Sequence, residues 1–247
     1  MFSKSTVKYI QSLQHKKFRE EEKLFVAEGP KLVTELLEDG IFACRNIYAL
    51  AGWENSLSKK IEDDHRSCII TIQDFELEKI SSLSKPNLVL AVFEQKKVLS
   101  SPDLKSKLTL VLDDIQDPGN LGTIIRIADW FGIENIICSL QTADMYNAKV
   151  VQSTMASLQR VNVIYTSLEE WLQNQSIKKY ATTLNGKAIA HFNQIKEGII
   201  IIGNESKGVS DGVMKLSENK ITIPRVGNAE SLNAAVATGI ILYELRR

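Results

Sequence analysis

The second half of the chain alternates short apolar runs with segments of helical periodicity. Leu108–Leu112 and Ile199–Ile202 are almost continuously apolar, which is typical of strands buried on both faces of a parallel sheet. The strands predicted in this half are Leu108–Leu112, Asn135–Cys138, Asn162–Tyr165, Tyr180–Leu184, Ile199–Ile202 and Ile221–Ile223. The predicted helices are Leu121–Phe131, Asn147–Leu158, Leu168–Gln173 and a terminal helix that begins at Leu232. This alternation predicts an α/β domain with a mostly parallel sheet.

The first hundred residues predict a smaller α/β unit. Val7, Ile10 and Leu13 recur at helical spacing. Gly29-Pro30 begins a second helix, because proline is tolerated in the first helical turn, and Gly40 ends it. The other predicted elements are a helix at Asp74–Ser81 and strands at Asn46–Leu50, Cys68–Ile72 and Leu88–Phe93.

A polar, charged stretch separates the two halves. Glu94–Lys107 contains Pro102 and few apolar residues, so we interpret this stretch as a linker. The predicted organisation is an N-terminal domain over residues 1–95, a linker over 96–107 and a second domain over 108–247.

The terminal helix is apolar nearly all round. Apolar side chains occupy most positions between Ala234 and Leu245, and a helix of this kind has to be buried. Two burial sites remain open at this point. One is the interior of its own domain, and the other is an interface with a second copy of the chain.

Composition indicates a globular protein and excludes several other classes. Of the 247 residues, 44% are hydrophobic, and 30 basic residues balance 30 acidic ones, so net charge gives no argument for a nucleic-acid partner. The N-terminus lacks the apolar segment of a secretory signal, and no apolar run could span a bilayer, so we expect a cytoplasmic protein. Three cysteines without C-x-x-C spacing and three separated histidines predict reduced core thiols and no metal site.

Three polar segments stand directly beside predicted strands or helices: Asp114–Arg126, Ile202–Gly208 and Ile223–Asn233. Ligands of α/β sheets bind among loops at strand ends. The Asn, Arg, Glu and Ser residues of these segments suit a nucleotide and a phosphate better than a metal or a Ser-His-Asp hydrolysis. The common nucleotide motifs are absent, because no G-x-G-x-x-G occurs and Val209 stands where a P-loop needs lysine.

Together, these segments resemble the motifs of the SpoU branch of the SPOUT RNA methyltransferases. The first family motif, N-x-G-x-x-x-R, corresponds to Asn120–Arg126, which follow Asp117-Pro118. The second motif, G-N-E-x-x-G, corresponds to Gly203–Gly208, and the third, I-P-x-x-G-x-x-x-S-L-N, corresponds to Ile223–Asn233. The resemblance covers about residues 108–247. It implies 2′-O-ribose methylation of ribosomal or transfer RNA, S-adenosylmethionine as the cofactor, and an active site at a homodimer interface without metal or membrane.

The fold class that this resemblance implies is α/β. A C-terminal parallel-sheet SPOUT domain with a trefoil knot would follow a small N-terminal α/β domain, ribosomal-protein-like and substrate-binding. The N-terminal domain is similar to its family counterpart at Ser12–Arg19 and Phe25–Gly29. The candidate RNA-binding residues are Lys16, Lys17 and Arg19. A solvated helix face is the alternative, because Glu20–Glu22 interrupts the basic cluster.

The resemblance assigns the catalytic site to Arg126, Asn120, Glu205, Ser231 and Asn233. Because a guanidinium is almost never deprotonated in a protein, we interpret Arg126 as binding phosphate and aiding the forming alkoxide, rather than as a general base. Glu205 is expected to orient Arg126 or a residue of a partner subunit. Ser231 and Asn233 are expected near the ribose and the cofactor. The alternatives are an Arg126–Asp129 ion pair and helix capping by Asn120, Ser231 or Asn233.

The cofactor positions that the resemblance implies are Leu184, Gly203, Ile223 and Leu232. An apolar floor with backbone N–H and C=O groups fits an adenine and a sulfonium-bearing chain. Ordinary sheet core is the alternative for these positions, above all for Ile223.

Two other functions remain open from the residues. One is a non-catalytic RNA-binding relative that keeps the fold, against which the intact polar motif residues argue. The other is a nucleotide-binding metabolic protein, which would bind a small ligand tightly and show no affinity for RNA.

Overall fold

The computed structural model describes residues 2–97 and 102–247. Its strands are β1 (Leu24–Glu28), β2 (Cys44–Leu50), β3 (Ile69–Ile72), β4 (Val89–Glu94), β5 (Leu108–Asp113), β6 (Asn135–Cys138), β7 (Asn162–Tyr165), β8 (Lys179–Ala188), β9 (Gly198–Gly203) and β10 (Asn219–Thr222). Its α-helices are α1 (Lys4–Ser12), α2 (Lys16–Glu22), α3 (Pro30–Asp39), α4 (Lys59–His65), α5 (Asp74–Ile80), α6 (Pro118–Trp130), α7 (Ala148–Thr154), α8 (Leu168–Gln173), α9 (Asp211–Lys215) and α10 (Ala234–Arg246).

The chain divides into two units. Unit 1 comprises Met1–Lys97 and Tyr146–Gln159, and unit 2 comprises Val98–Met145 and Arg160–Arg247. The predicted linker lies partly outside the described residues, at 98–101. Its described end is held within unit 2, because the Ser106 N–H donates to Glu197 (2.6 Å) and Lys107 Nζ donates to Glu134 (2.7 Å).

Unit 1 contains a four-stranded sheet in the order β1-β4-β2-β3. β4 runs antiparallel to both β1 and β2, while β2 and β3 are parallel. α3 begins after Gly29 with Pro30 in its first turn and ends at Gly40, which has a left-handed φ of 63°. Both ends of that helix confirm the prediction, since only residues tolerant of positive φ end helices in this way.

A segment from the second half of the chain packs within unit 1. The Tyr146 ring lies 4.9 Å from the Phe25 ring, and Gln159 Nε2 donates to the Glu35 carbonyl (3.2 Å) and to Asp39 (2.9 Å). Unit 2 is therefore interrupted in sequence by residues 146–159. The domain boundaries predicted from the sequence stay a prediction.

Unit 2 contains a six-stranded sheet in the order β10-β8-β9-β5-β6-β7, and every neighbouring pair is parallel. This confirms the predicted parallel sheet. In the register of β5 with β9, Asp113 pairs with Gly203. The loops that follow these two strands therefore begin side by side at the carboxyl edge of the sheet.

α10 is buried on one face only. Its buried residues are Ala234, Ala235, Thr238, Ile241, Leu242 and Leu245. Arg246 also binds α6 through the Phe131 carbonyl, to which its Nε donates (3.2 Å). Val236, Ile240 and Tyr243 lie on the opposite face and are exposed, so the expectation that the whole helix is buried is not met within unit 2.

Several elements differ from the prediction. β1, α2, α4 and α9 were not predicted, and β8 continues to Ala188. The helix expected over 147–158 ends at Thr154, because Met155 and Ala156 have left-handed φ angles of 48° and 65°. α10 begins at Ala234 rather than Leu232. Within the described ranges, no helix is long and apolar enough to cross a membrane.

Candidate active site

A cleft of about 840 Å³ lies at the carboxyl edge of the unit 2 sheet. Its walls come from the end of β8, the loop after β9 and the loop between β10 and α10. All four predicted cofactor positions line it: Leu184, Gly203, Ile223 and Leu232. Leu184 and Leu232 are 68% and 46% exposed, so these two are not ordinary sheet core.

Gly203 allows the loop after β9 to fold back against the strand end. Asn204 and Gly208 exchange two backbone hydrogen bonds of 3.1 and 2.8 Å, and Gly208 has a left-handed φ of 71°. A Cβ on Gly203 would lie 2.2 Å from the Gly208 carbonyl carbon and from the Val209 nitrogen. A side chain at this position would therefore displace backbone that forms the wall of the cleft.

Asn204 ties this loop to the loop after β5. Its Nδ2 donates to the Asp114 carbonyl at 2.8 Å. Its Oδ1 accepts from the backbone N–H groups of Ser206 (2.9 Å) and Lys207 (3.1 Å). A single side chain therefore satisfies backbone groups of both loops, which would otherwise need water or other partners.

Three of the predicted catalytic residues form a continuous hydrogen-bonded chain, the Asn233–Asn120–Glu205 chain. Asn233 Nδ2 donates to Asn120 Oδ1 at 2.8 Å, and Asn120 Nδ2 donates to Glu205 Oε1 at 2.5 Å. Asn233 Oδ1 also caps α10 by accepting from the N–H groups of Ala235 and Val236. Each of the three motif segments supplies one residue, so the chain joins all three loops at one place.

The capping alternatives for Asn120 and Ser231 do not apply. Asp117 caps α6, and its Oδ1 accepts from the Asn120 N–H at 2.7 Å. Asn233 caps α10. Ser231 instead lines the cleft as an exposed residue.

Arg126 lies on the exposed side of α6. The alternative ion pair with Asp129 is absent, because Asp129 accepts from Arg160 Nε at 2.9 Å. Glu205 contacts Asn120 rather than Arg126, and in the described part of the chain Arg126 forms no ion pair. Its guanidinium is therefore available to an anion from outside the subunit.

The basic residues predicted to bind RNA differ in exposure. Lys16 and Lys17 lie on the surface of α2, where they pair loosely with Glu20 (3.7 Å) and Glu21 (3.9 Å). Arg19 is 2% exposed, and its Nη1 donates to the carbonyls of Leu13 (2.8 Å) and Gln14 (2.7 Å). The Arg19 guanidinium holds the turn between α1 and α2, and its burial leaves it poorly accessible to an RNA phosphate.

Two of the three cysteines, Cys44 and Cys138, are poor nucleophiles at neutral pH. Burial, and then the neighbouring Cys68, raise the pKa of the Cys44 thiol to about 12. Burial also raises the pKa of the Cys138 thiol, so both groups stay protonated. Among the described residues, no group of three or more His, Cys, Asp or Glu side chains is arranged to hold a metal ion.

Asp114 and Asn204 were not predicted as site residues. Asn204 stands inside the second motif, between Gly203 and Glu205, so the motif itself carried a signal for it. Asp114 has a left-handed φ of 63° and binds residues of two other loops. No sequence pattern indicates that conformation, although Asp is one of the few residues that tolerate it.

Comparison with known proteins identifies the same two regions. A model of the SpoU rRNA Methylase family matches residues 107–243, and a model of the MRM3-like substrate binding domain matches residues 4–91. The 23S rRNA (guanosine(2553)-2′-O)-methyltransferase RlmP of Bacillus subtilis is 30% identical over 247 residues, which cover 97% of this chain and 95% of the relative.

Two solved structures share the fold along the whole chain. A protein of the TrmH family from Porphyromonas gingivalis has a TM-score of 0.87 and 33% identity, with 100% and 98% of the two chains covered. The SpoU methyltransferase AviRb of Streptomyces viridochromogenes, solved with AdoMet, has a TM-score of 0.84 and 25% identity, with 98% and 97% covered.

The close packing around Gly203 generates a stability prediction. Gly203→Ala should lower the free energy of unfolding by about 1–3 kcal/mol or more, because the methyl group meets backbone rather than a flexible side chain. Gly227→Ala is the matched control. Gly227 also lines the cleft, and a Cβ added there would meet nothing within 4 Å. This substitution should therefore change the free energy of unfolding by no more than about 0.5 kcal/mol. Urea unfolding measures both, and equal midpoints would contradict the packing argument.

Proposed function

Because this chain belongs to the SpoU rRNA methylase family, we propose that it transfers the methyl group of S-adenosylmethionine to a ribose 2′-hydroxyl of RNA. The family model and the relatives confirm the resemblance inferred from the three motifs. The observation that carries the proposal is the Asn233–Asn120–Glu205 chain, which joins the three motif loops beside the cleft. Ribosomal RNA is the favoured substrate, since RlmP of Bacillus subtilis is named for 23S rRNA.

The cleft fits the cofactor in size and in the chemistry of its walls. Its volume lies within the range of about 300–1,000 Å³ that small-ligand pockets occupy. Ile202, Met214 and Ile241 supply apolar lining that suits an adenine ring, and Gly203 and Ile223 also line the cleft. When bound, S-adenosylmethionine supplies an electrophilic methyl group on a sulfonium. We assign Leu184, Gly203, Ile223 and Leu232 to its binding.

The protein's own residues would align the substrate and ease loss of the hydroxyl proton. In the proposed reaction the 2′-oxygen would form a bond to the methyl carbon while the carbon–sulfur bond breaks, and the hydroxyl proton would pass to solvent water. The Arg126 guanidinium would bind the RNA phosphate next to the reacting ribose and stabilise negative charge on the 2′-oxygen. Alignment of the reacting atoms supplies much of the rate.

Asn120, Glu205, Ser231 and Asn233 have supporting roles in this proposal. Asn120, Glu205 and Asn233 hold the loops in one arrangement through their hydrogen bonds. Ser231 lines the cleft, so its hydroxyl is assigned to donate to a bound ribose or cofactor oxygen. The trefoil knot that the family resemblance implies would involve these same loops, and we propose it on that resemblance alone.

A non-catalytic RNA-binding relative is the second candidate function. It would keep the fold and lose the polar residues of the site. The intact hydrogen-bonded chain and the unpaired Arg126 of the described structure favour the enzyme instead. We further propose that the enzyme acts in the cytoplasm, where its RNA substrates are made and assembled.

Unit 1 would bind the RNA substrate. Its match to a substrate-binding domain supports this assignment. Lys16 and Lys17 are exposed cations whose acidic partners on the same helix lie 3.7 and 3.9 Å away. Ion pairs of this kind contribute little to stability, so both ammonium groups can exchange their carboxylates for RNA phosphates.

A homodimer would bury the exposed apolar faces of α10 and α6. Val236, Ile240 and Tyr243 are 51%, 40% and 61% exposed, and Trp130 on α6 is 85% exposed. Trp130 follows Arg126 by one helical turn, so the two share a face of α6. A second copy that covers this surface would therefore lie beside Arg126, in agreement with an active site at the dimer interface.

Arg126→Ala should abolish transfer and leave cofactor binding intact. Loss of one charge-stabilising donor typically lowers turnover about 100- to 1,000-fold, whereas Arg126 does not line the cleft. Methyl transfer from labelled S-adenosylmethionine to total RNA measures the first effect, and calorimetry measures the second. Arg247→Ala, which removes an exposed guanidinium of the same unit, is the control. Near-normal turnover of Arg126→Ala would contradict the assigned role.

Reversing the charges of Lys16 and Lys17 should weaken RNA binding. Each lost phosphate contact reduces the magnitude of the slope of log affinity against log salt concentration by about 0.7–0.9. The double Glu variant should therefore reduce that magnitude by roughly 1.4–1.8. The matched control reverses Lys59 and Lys60, two adjacent exposed lysines at the start of α4. If both double variants bind RNA alike over the salt range, the assignment to α2 fails.

Sedimentation equilibrium tests the dimer. The wild-type protein should have a molecular mass twice the 27.7 kDa of the chain. The double variant Ile240→Asp, Tyr243→Asp should be a monomer, because the dimer would bury unpaired charges at a high cost in free energy. Phe75→Asp, at an exposed apolar residue of unit 1, should leave the mass unchanged. A monomeric wild type would exclude the dimer.

A further inference from the structure

Lys207 occupies a fixed position at the mouth of the cleft. Its backbone N–H donates to Asn204 Oδ1 at 3.1 Å, and the following residue, Gly208, closes the loop through its hydrogen bonds with Asn204. Two residues earlier in the same loop, Glu205 accepts from Asn120. The backbone that carries Lys207 is therefore tied directly to the proposed catalytic residues.

The Lys207 side chain is held only loosely. It is 76% exposed, and in the described residues its one ion pair is with Asp114, at 3.7 Å between Nζ and Oδ2. That distance is too long for a hydrogen bond. The other oxygen, Asp114 Oδ1, accepts from Gln116 Nε2 at 2.8 Å. Asp114 is 23% exposed, and an ion pair this long with a solvated ammonium group contributes little to stability.

Asp114 does not depend on Lys207 for its position. Its N–H donates to Ser139 Oγ at 3.0 Å, and its carbonyl accepts from Asn204 Nδ2 at 2.8 Å. These bonds hold a residue whose φ is +63°, a conformation that Asp and Asn tolerate better than most residues. The ammonium group of Lys207 is therefore not needed to build the loop.

Lys207 is one of two cationic side chains among the described residues that line the cleft. The other, Arg225, donates to the Ala229 carbonyl at 3.2 Å and so stabilises its own loop. A lysine suits phosphate as a compact point charge on a flexible chain. We propose that Lys207 binds a phosphate of the substrate RNA at the mouth of the cleft, exchanging Asp114 for it. This inference rests on the proposed function and names a further substrate-positioning residue.

The first test compares Lys207→Gln with Lys215→Gln. Lys215 is an exposed lysine of α9 that does not line the cleft. An unmodified transcript of 23S ribosomal RNA serves as the probe, and its affinity is measured over a range of salt concentrations. Lys207→Gln should weaken binding several-fold and reduce the salt slope by about 0.7–0.9. Lys215→Gln should match the wild type in both quantities.

Asp114→Asn separates phosphate binding from a structural ion pair. Asparagine keeps the tolerance for positive φ and removes the competing charge. If Lys207 binds RNA, Asp114→Asn should bind the transcript as tightly as the wild type or more tightly. If the pair only stabilises the loop, both variants should weaken RNA binding and lower the urea midpoint together, which would overturn the proposal.

Calorimetry with S-adenosylmethionine tests whether Lys207 binds the carboxylate of the cofactor instead of an RNA phosphate. Lys207→Gln should leave cofactor affinity unchanged. A loss confined to the cofactor, with RNA affinity and salt slope unaltered, would overturn the RNA assignment. Absence of methyl transfer by the wild type would contradict the proposed function instead, while the binding comparison would still decide the role of Lys207.

Discussion

One amide side chain holds the candidate active site together. Asn120 accepts a hydrogen bond from Asn233 and donates one to Glu205, so the loops after β5, β9 and β10 meet at a single group. Each bond is worth about 0.5–1.5 kcal/mol, which is small for the fold as a whole. Its importance is geometric, because it links the first turn of α6, the loop after β9 and the N-cap of α10.

The parallel sheet makes this meeting point possible. Asp113 at the end of β5 pairs with Gly203 at the end of β9, and Gly203 lets the following loop turn back without a clash. Glu205 at one end of the Asn233–Asn120–Glu205 chain lines the cleft, and α6 carries both Asn120 and Arg126. A site of this kind can bring a methyl donor and a sugar hydroxyl together by position and charge, which supply a large part of many catalytic rate enhancements.

The apolar pattern was sufficient to predict the sheet of unit 2, because strands such as β5 and β9 are buried on both faces. It did not predict α2, which is mostly charged. It also did not predict the burial of Arg19, whose guanidinium donates to two carbonyl groups inside the fold. The motifs predict Asn120 and Glu205 as site residues. They did not predict that the two would bond to each other, because that contact joins positions 85 residues apart through the register of the sheet.

Chemical identification of the product is the most direct test of the account. Purified protein would be incubated with RNA and S-adenosylmethionine labelled in the methyl group, and the RNA then hydrolysed in alkali. A 2′-O-methyl group blocks cleavage at the following phosphate, so the account predicts that the label is recovered in alkali-resistant dinucleotides. Label found only in mononucleotides with methylated bases, or no label in RNA, would contradict it.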